Sequence, residues 1–469
     1  MRRGTAIRSY EERILAYERA LAAPQAAPRH RSPERPEPGS PDPRHRARDP
    51  RHRSPERPDP GSPDPRHRSP ERSDPGSPDP RHRAPTPRHR APTPRHRAPD
   101  PRRRATSPIR FRVRRIAALV TLLLVADVFA SFAEAMLRPS NVGPGVRVVE
   151  WLRDNGAAGL VSDVEAIYYS LNAPSTGGAA LRALPKVGTA GSSSARGYAP
   201  PPIPPVIEPA LPGEGAWRGT GPLVAGAPAV LVTTFRPDAS YPQLVAGVAW
   251  VDTSRASLAL YPGRYEPPGG GGQAAEVPTS LQPRLLATFN SGFKLEDSGG
   301  GFVVGSRIYA PLRDGQATLI AYRDGRVDVQ LWTGGPAPGG DVVLARQNLP
   351  LIVSGGRLAT NLTDGPEWGA TLGNAVRVWR SAVGVDARGN LLYAAADLQT
   401  ASSIARILQR AGAVRAMELD INAEWVTFNF YGGWSAAAPQ KLLPDMTRDA
   451  TRYLTPDDRD FFAVYARVR

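Results

Sequence analysis

The sequence predicts an α+β protein: mostly antiparallel sheets with flanking helices, preceded by a transmembrane helix and a disordered Pro/Arg-rich N-terminal region. Three observations predict it. Between residues 217 and 469, alternating apolar runs are separated by short turn signals such as Asp324-Gly325, the pattern of hairpins. Ile404, Ile407 and Leu408 recur at helical spacing in "SSIARILQRAG", so at least one amphipathic helix interrupts the strands. The 22 residues from Ile116 to Leu137 are mostly apolar, and at about 1.5 Å per residue that length crosses a bilayer.

Taken in order, residues 9–22 place Ile14, Leu15 and Leu21 among charged residues, which suggests a short surface helix. From Pro24 to Arg104 the chain is a degenerate repeat, with "RHRSPERPDPGSPDP" at 51–65 and a near copy at 66–80. It has too few large apolar side chains to offset the entropy of ordering, and its prolines favour an extended spacer. It reads either as a solvated tail or as a basic tether to an anionic partner. The formal charge of +16 lies mostly in this region. Residues 138–469 hold 30 Lys and Arg against 28 Asp and Glu, a net of +2. No specific nucleic-acid partner is therefore expected of the folded part.

A basic run from Arg102 to Arg115 flanks the apolar segment, which predicts a cytoplasmic N-terminus and an extracytoplasmic C-terminal domain in the cell membrane. Asp127 and Glu134 fall inside the span on one helical face, where a carboxylate is costly. A signal sequence cleaved near Ala133-Glu134-Ala135 is the alternative. Residues 146–172 read as two short helices around Asn155-Gly156. The expected division is 1–109 basic repeat region, 110–137 anchor or signal sequence, 138–197 small helical segment, 198–216 proline-rich linker and 217–469 main domain.

All seven histidines lie between His30 and His96, and the chain has no cysteine. That excludes a Ser-His-Asp triad, a cysteine nucleophile and any His/Cys zinc site in the main domain. Chemistry there falls to carboxylates, Lys, Arg, Tyr, hydroxyls or backbone amides. A divalent cation held by carboxylates stays open, and no cofactor is identified.

Three clusters stand out. Asn290-Ser291-Gly292 forms a turn after an apolar strand, followed by Gly299-Gly300-Gly301, where a ligand could approach the backbone. Arg380 precedes an apolar strand in "WRSAVGVD" and could clamp a phosphate. In "RAMELDINAEW", Glu418, Asp420, Asn422 and Glu424 alternate with Met417, Leu419 and Ile421. A strand would put all four on one side, as a cleft of converging carboxylates or as a solvated face. The apolar neighbours favour the cleft, since charge deep in a sheet needs a reason. Beyond Glu424 the parity changes to Val426, Phe428 and Phe430, which predicts a bulge or break near Glu424–Trp425. Trp425 is then either a sugar-stacking platform or a core residue.

In this order the clusters resemble the phosphodiester glycosidase family, whose known animal member removes N-acetylglucosamine from a phosphodiester. The family's Asn-Gly-Gly-Phe-type turn is matched by Asn290-Ser291-Gly292-Phe293. Its Arg-x-Ala-Val-Gly strand is matched by Arg380-Ser381-Ala382-Val383-Gly384. Its Gly-Ala and Leu-Asp-Gly-Gly-Gly-Ser elements are matched by Gly412-Ala413 and Leu419-Asp420. After Asp420 the family glycines are replaced by Ile421-Asn422-Ala423-Glu424. The resemblance spans about residues 230–435. It implies a hydrolase for a glycosyl phosphodiester of the cell envelope. Asp420, Glu424 and Glu418 are the candidate catalytic carboxylates, with Asn290, Gly292, Arg380, Asn422 and Trp425 as substrate-binding candidates. The altered turn leaves a second reading, a non-catalytic binder of an envelope glycan on the same fold.

Overall fold

A computed structural model describes residues 108–188, 199–271, 274–363, 366–369 and 377–467. The expected surface helix at 9–22 and the repeat at 24–104 lie outside these residues. The described chain opens with α1 (Pro108–Leu137). Its Phe111–Leu137 portion is long and apolar enough to cross a membrane, and its apolar window is unburied. Two shorter helices follow, α2 (Pro144–Leu152) and α3 (Ala158–Leu171). Between them the turn expected at Asn155-Gly156 puts Gly156 at φ +86°, a conformation that glycine adopts without strain.

The strands come in three groups along the chain. First are β1 (Arg218–Val224), β2 (Ala227–Phe235), β3 (Ala246–Val251), β4 (Ala256–Tyr261) and β5 (Leu285–Asn290). Next are β6 (Phe302–Val304), β7 (Arg307–Ala310), β8 (Ala317–Tyr322), β9 (Val327–Leu331), β10 (Val342–Gln347), β11 (Leu351–Ser354) and β12 (Arg357–Leu358). Last are β13 (Val378–Asp386), β14 (Leu391–Gln399), helix α4 (Ala401–Arg410), β15 (Ala413–Glu418), β16 (Phe428–Tyr431), β17 (Pro439–Lys441) and β18 (Phe461–Ala466).

They build an eight-stranded sheet, β1-β2-β3-β14-β13-β15-β11-β12, and two five-stranded sheets, β7-β6-β10-β8-β9 and β17-β16-β5-β18-β4. The pairings are antiparallel, as the turn chemistry predicts; β8 and β9 meet across Gly325 at φ +88° and β13 and β14 across Gly389 at φ +80°. The large sheet is buried on both faces. Val230, Val232, Tyr393 and Met417 face a core shared with Phe289, Phe428 and Phe462 of one small sheet and Leu319 and Leu344 of the other. Their neighbours Leu231, Leu392 and Ala394 point the opposite way, onto Ile404, Ile407 and Leu408 of α4. The period of two thus sorts one strand into two cores.

The segments before β1 lie against this body. Asn141 Nδ2 donates to Asp457 at 2.8 Å, Lys294 Nζ bridges Glu150 of α2 at 2.7 Å, and Tyr169 of α3 packs on Phe293 and Ile421. In the proline-rich stretch expected as a linker, Ile203 is buried and Glu214 is ion-paired to Arg236 at 2.7 Å.

The acidic strand is shorter than its alternation suggests. β15 ends at Glu418, and a turn occupies the residues before β16. The side chains responsible are identifiable. Asp420 Oδ1 accepts the Asn422 N–H at 3.0 Å, and Asn422 Oδ1 accepts the Glu424 N–H at 2.9 Å. Two successive Asx turns satisfy backbone donors that a sheet ladder would otherwise take. The break therefore begins at Leu419, ahead of the Glu424–Trp425 position that the parity change marks.

Candidate functional site

Three separate segments lock together at Asp420. Asn290, the last residue of β5, donates through Nδ2 to Ser381 Oγ at 3.0 Å. Ser381 of β13 donates to the Asp420 carbonyl at 2.7 Å, and the Asp420 N–H donates to the Ser291 carbonyl at 3.0 Å. Asn290 Oδ1 also accepts Tyr393 Oη at 2.9 Å and the Thr427 N–H at 3.0 Å. Its amide is thus fully engaged in fixing backbone, and it stands behind the cleft rather than in it. Gly292 is needed for fit: a Cβ there would lie 3.1 Å from the Asn348 side chain. The Gly299–Gly301 run serves packing as well, because a Cβ on Gly300 or Gly301 would collide with Gln347 or Leu312.

Glu418 and Arg380 form a pair inside the protein. Arg380 Nη1 donates to Glu418 Oε1 and, at 3.0 Å, to the Trp368 carbonyl, while its Nε donates to the Gln399 carbonyl at 3.1 Å. Burial pushes the Glu418 carboxyl up to about 6, with Arg380 pulling the other way. Neither side chain lines the cleft. Glu424 is half-buried and does not line it either.

The cleft itself is a cavity of about 270 Å³. From the main domain it draws Asp420, Asn422, Trp425, Lys294, Asp297 and Arg459; α2 and the turn after it add Glu150, Arg153 and Asp154, and α3 adds Ala158 and Ser162. Arg459 Nη2 reaches Asp420 Oδ2 at 2.8 Å and the Gly292 carbonyl at 3.3 Å, leaving its buried Nε without a hydrogen-bond partner. The guanidinium carbon of Arg459 sits 5.1 Å from the Trp425 ring centroid, and Arg452 holds the Trp425 carbonyl at 3.0 Å. Trp425 is buried, and cations already cover its ring.

Charge in the cleft is paired but unevenly. Burial raises the Asp420 pKa, and Arg459 opposes the rise. Burial likewise raises Asp297. At Glu150, burial pushes upward, but Lys294, Arg459 and Arg153 outweigh it and hold the carboxyl low. Lys294 contacts Glu150 at 2.7 Å and Asp154 at 3.1 Å, which outweigh burial and hold it charged. A second cavity of about 290 Å³ shares Glu150, Lys294, Trp425 and Arg459 and extends to Arg138 and Tyr265. Among the described residues, no group of three or more His, Cys, Asp or Glu side chains is placed to hold a metal ion.

The structure thus gathers Asp420, Asn422 and Trp425 in the cleft and sets Asn290, Gly292, Arg380 and Glu418 behind it. Lys294 and Arg459 are the functional candidates that sequence reasoning missed. Lys294 directly follows the Asn290–Phe293 turn, so its position was a usable signal. Arg459 sits in the dense "DDRD" run at 457–460, a charge cluster directly before the apolar β18.

No curated protein matches the chain. Among solved structures, similarity extends to the zebrafish N-acetylglucosamine-1-phosphodiester alpha-N-acetylglucosaminidase catalytic domain auto-inhibited by its pro-peptide. That alignment has 16% identity over 54% of this chain and 88% of that one, with a TM-score of 0.36. A hypothetical protein from Synechocystis aligns at 13% identity over 52% of this chain and 63% of that one, with a TM-score of 0.34. Residues 284–420, the stretch that brings Asn290, Ser381 and Asp420 together, match the family model of the phosphodiester glycosidases.

Proposed function

We propose that this chain is an exported, membrane-anchored hydrolase whose cleft takes a glycosyl phosphodiester of the cell envelope. The observation that carries the reading is the placement of Lys294 and Arg459 beside Asp420, on a scaffold whose 284–420 segment matches the phosphodiester glycosidases. Three cations in one cleft, Arg153, Lys294 and Arg459, suit a phosphodiester anion, and Arg459 offers a planar donor set for its oxygens. A carboxyl whose pKa burial raises can, in its protonated form, donate to the leaving phosphate oxygen, or when ionised take a proton from water. Water then adds to the anomeric carbon as the carbon–oxygen bond to phosphate breaks, releasing free sugar and a phosphate monoester. Asp420 is the residue we place in that role, with the Ser381 hydroxyl and the Ser291 carbonyl fixing its backbone from behind.

The turn that replaces the family's glycines favours a second reading, a glycan-binding protein without hydrolysis. Ile421, Asn422 and Ala423 put side chains where glycines would leave backbone amides open.

The test uses the full chain in detergent and a nucleotide-sugar phosphodiester carrying N-acetylglucosamine, with and without divalent cations. Free sugar release is expected in wild type, with a loss of about 10²–10⁴-fold in Asp420→Asn. Saturable binding without release would establish the binder. Absence of both, in a folded sample tried against several envelope phosphodiesters, would sink the glycosidase reading.

A further inference from the structure

Helix α3 is apolar on the side that none of the described residues covers. Its inner side is accounted for: Val161 is buried, Tyr169 packs on the Phe293–Ile421 cluster, and Glu165 bridges Arg153 at 2.5 Å. The outer side carries Leu160, Val164, Ile167, Tyr168 and Leu171, which are 64%, 58%, 60%, 61% and 80% exposed. Their spacing is that of a single helical stripe. On an ordinary surface helix that stripe is polar. Outside the helices, the large exposed apolar side chains among the described residues are Leu223, Tyr265, Ile308, Leu331 and Trp434, which are spread along the chain as on any soluble surface.

What covers this stripe is indicated by its neighbour. The apolar window of α1 is unburied, and the end of α1 is held on α2: Phe132 meets Trp151 edge-on at 5.1 Å, and Trp151 Nε1 donates to Ser131 at 3.0 Å. Arg153, next in chain to α2, ties it to α3 through Glu165. The end of α1 is therefore joined, through Trp151 and Arg153, to the element that bears the stripe. Tyr168 and Trp151 are the aromatic types that settle at the headgroup level. An exposed apolar helical face beside a spanning segment is suited to rest on the bilayer surface. Glu150 of α2 and Arg153 and Asp154 of the following turn wall the cleft together with Ala158 and Ser162 of α3, and the adjoining cavity reaches Arg138, the residue directly after α1.

We propose that the Leu160–Leu171 face of α3 lies on the bilayer that α1 crosses, holding the cleft at the membrane surface so that it takes lipid-linked glycosyl phosphodiesters. The choice of ligand rests on the hydrolase reading; the docked face does not.

The chain has no cysteine, so single labels are clean. The full chain bearing Val164→Cys or Ile167→Cys, with Ser354→Cys as a control on the exposed end of β11, is labelled with an environment-sensitive fluorophore. It is reconstituted into phosphatidylcholine–phosphatidylglycerol vesicles. Blue-shifted emission quenched by brominated lipid is expected at 164 and 167 but not at 354. Quenching by aqueous iodide equal to that at 354 would overturn the docked face. So would a shift that follows protein density and ignores brominated lipid, because the cover would then be a second copy. The double variant Val164→Glu/Ile167→Glu separates the ligand claim. Release from a lipid-linked sugar phosphodiester is expected to fall about tenfold, as the cleft is no longer held against the membrane surface, with release from a soluble one unchanged. Equal rates on both esters would overturn the lipid-linked ligand. Labels seated in lipid with hydrolysis of neither ester would overturn the hydrolase reading and leave the docked face established.

Discussion

Glu418 is wholly buried with one carboxylate oxygen on Arg380 and the other unpartnered, so its ionisation costs the folded state. Its pKa is about 6 in the fold against an ordinary 4.5. An acid with a raised folded pKa binds its proton more tightly in the folded state. Its stabilising contribution is complete below about 4.5 and is lost as pH rises through about 6. A shift of that size corresponds to about 2 kcal/mol. Glu418→Gln, which imitates the protonated form, should therefore gain about 2 kcal/mol relative to wild type between pH 4.5 and pH 6.5 in urea unfolding. A difference that does not move with pH would remove this account. Asp420 differs in kind: its carboxylate is shared between a turn amide and Arg459 at 2.8 Å, and it borders the cavity.

At the scale of elements, the polypeptide around the site is shaped by short side chains bonding to nearby backbone. The turn after β15 exists because Asp420 and Asn422 each accept an amide two residues on. The helix that covers the large sheet begins by the same means. Thr400 accepts the Ser403 N–H at 3.0 Å, and Ser403 Oγ accepts the Thr400 N–H at 2.8 Å, a reciprocal cap. Thr400→Ala should lower stability by about 1 kcal/mol in urea unfolding with the cleft unaffected. A loss of sugar release in that variant would mean that α4 controls the site in a way these contacts do not describe.

The whole molecule is held by ion pairs that connect sheets rather than decorate them. Arg346 in β10 of one small sheet reaches Asp460, directly before β18 of the other, at 2.8 Å, and both side chains are fully buried. The same guanidinium donates to the Phe293 carbonyl, one residue before Lys294. Removing one member of such a pair strands the other in a dry interior, so Arg346→Met should cost about 3–5 kcal/mol, read by chemical denaturation. A cost below about 1 kcal/mol would show that Asp460 finds water or protonates at little expense.

The sequence by itself determined the antiparallel α+β class, the hairpin turns at Gly325 and Gly389, the amphipathic helix ending near Gly412, and the paired helices around Gly156. Each depends on neighbours within a few residues, through turn conformations and side-chain periodicity. It also marked the three segments that meet at Asp420, because their residue types are unusual for apolar strands. Only the tertiary structure decided which polar side chains face a cavity. Glu418, Asp420 and Asn422 look equivalent in a period of two, yet Arg380 takes the first inside the protein, Arg459 pairs with the second, and the third lines the cleft while accepting the Glu424 N–H. Lys294 and Arg459 are 165 positions apart in sequence, and no local pattern joins them. They share a cleft because three sheets and two preceding helices close around it, and that closure depends on long-range packing.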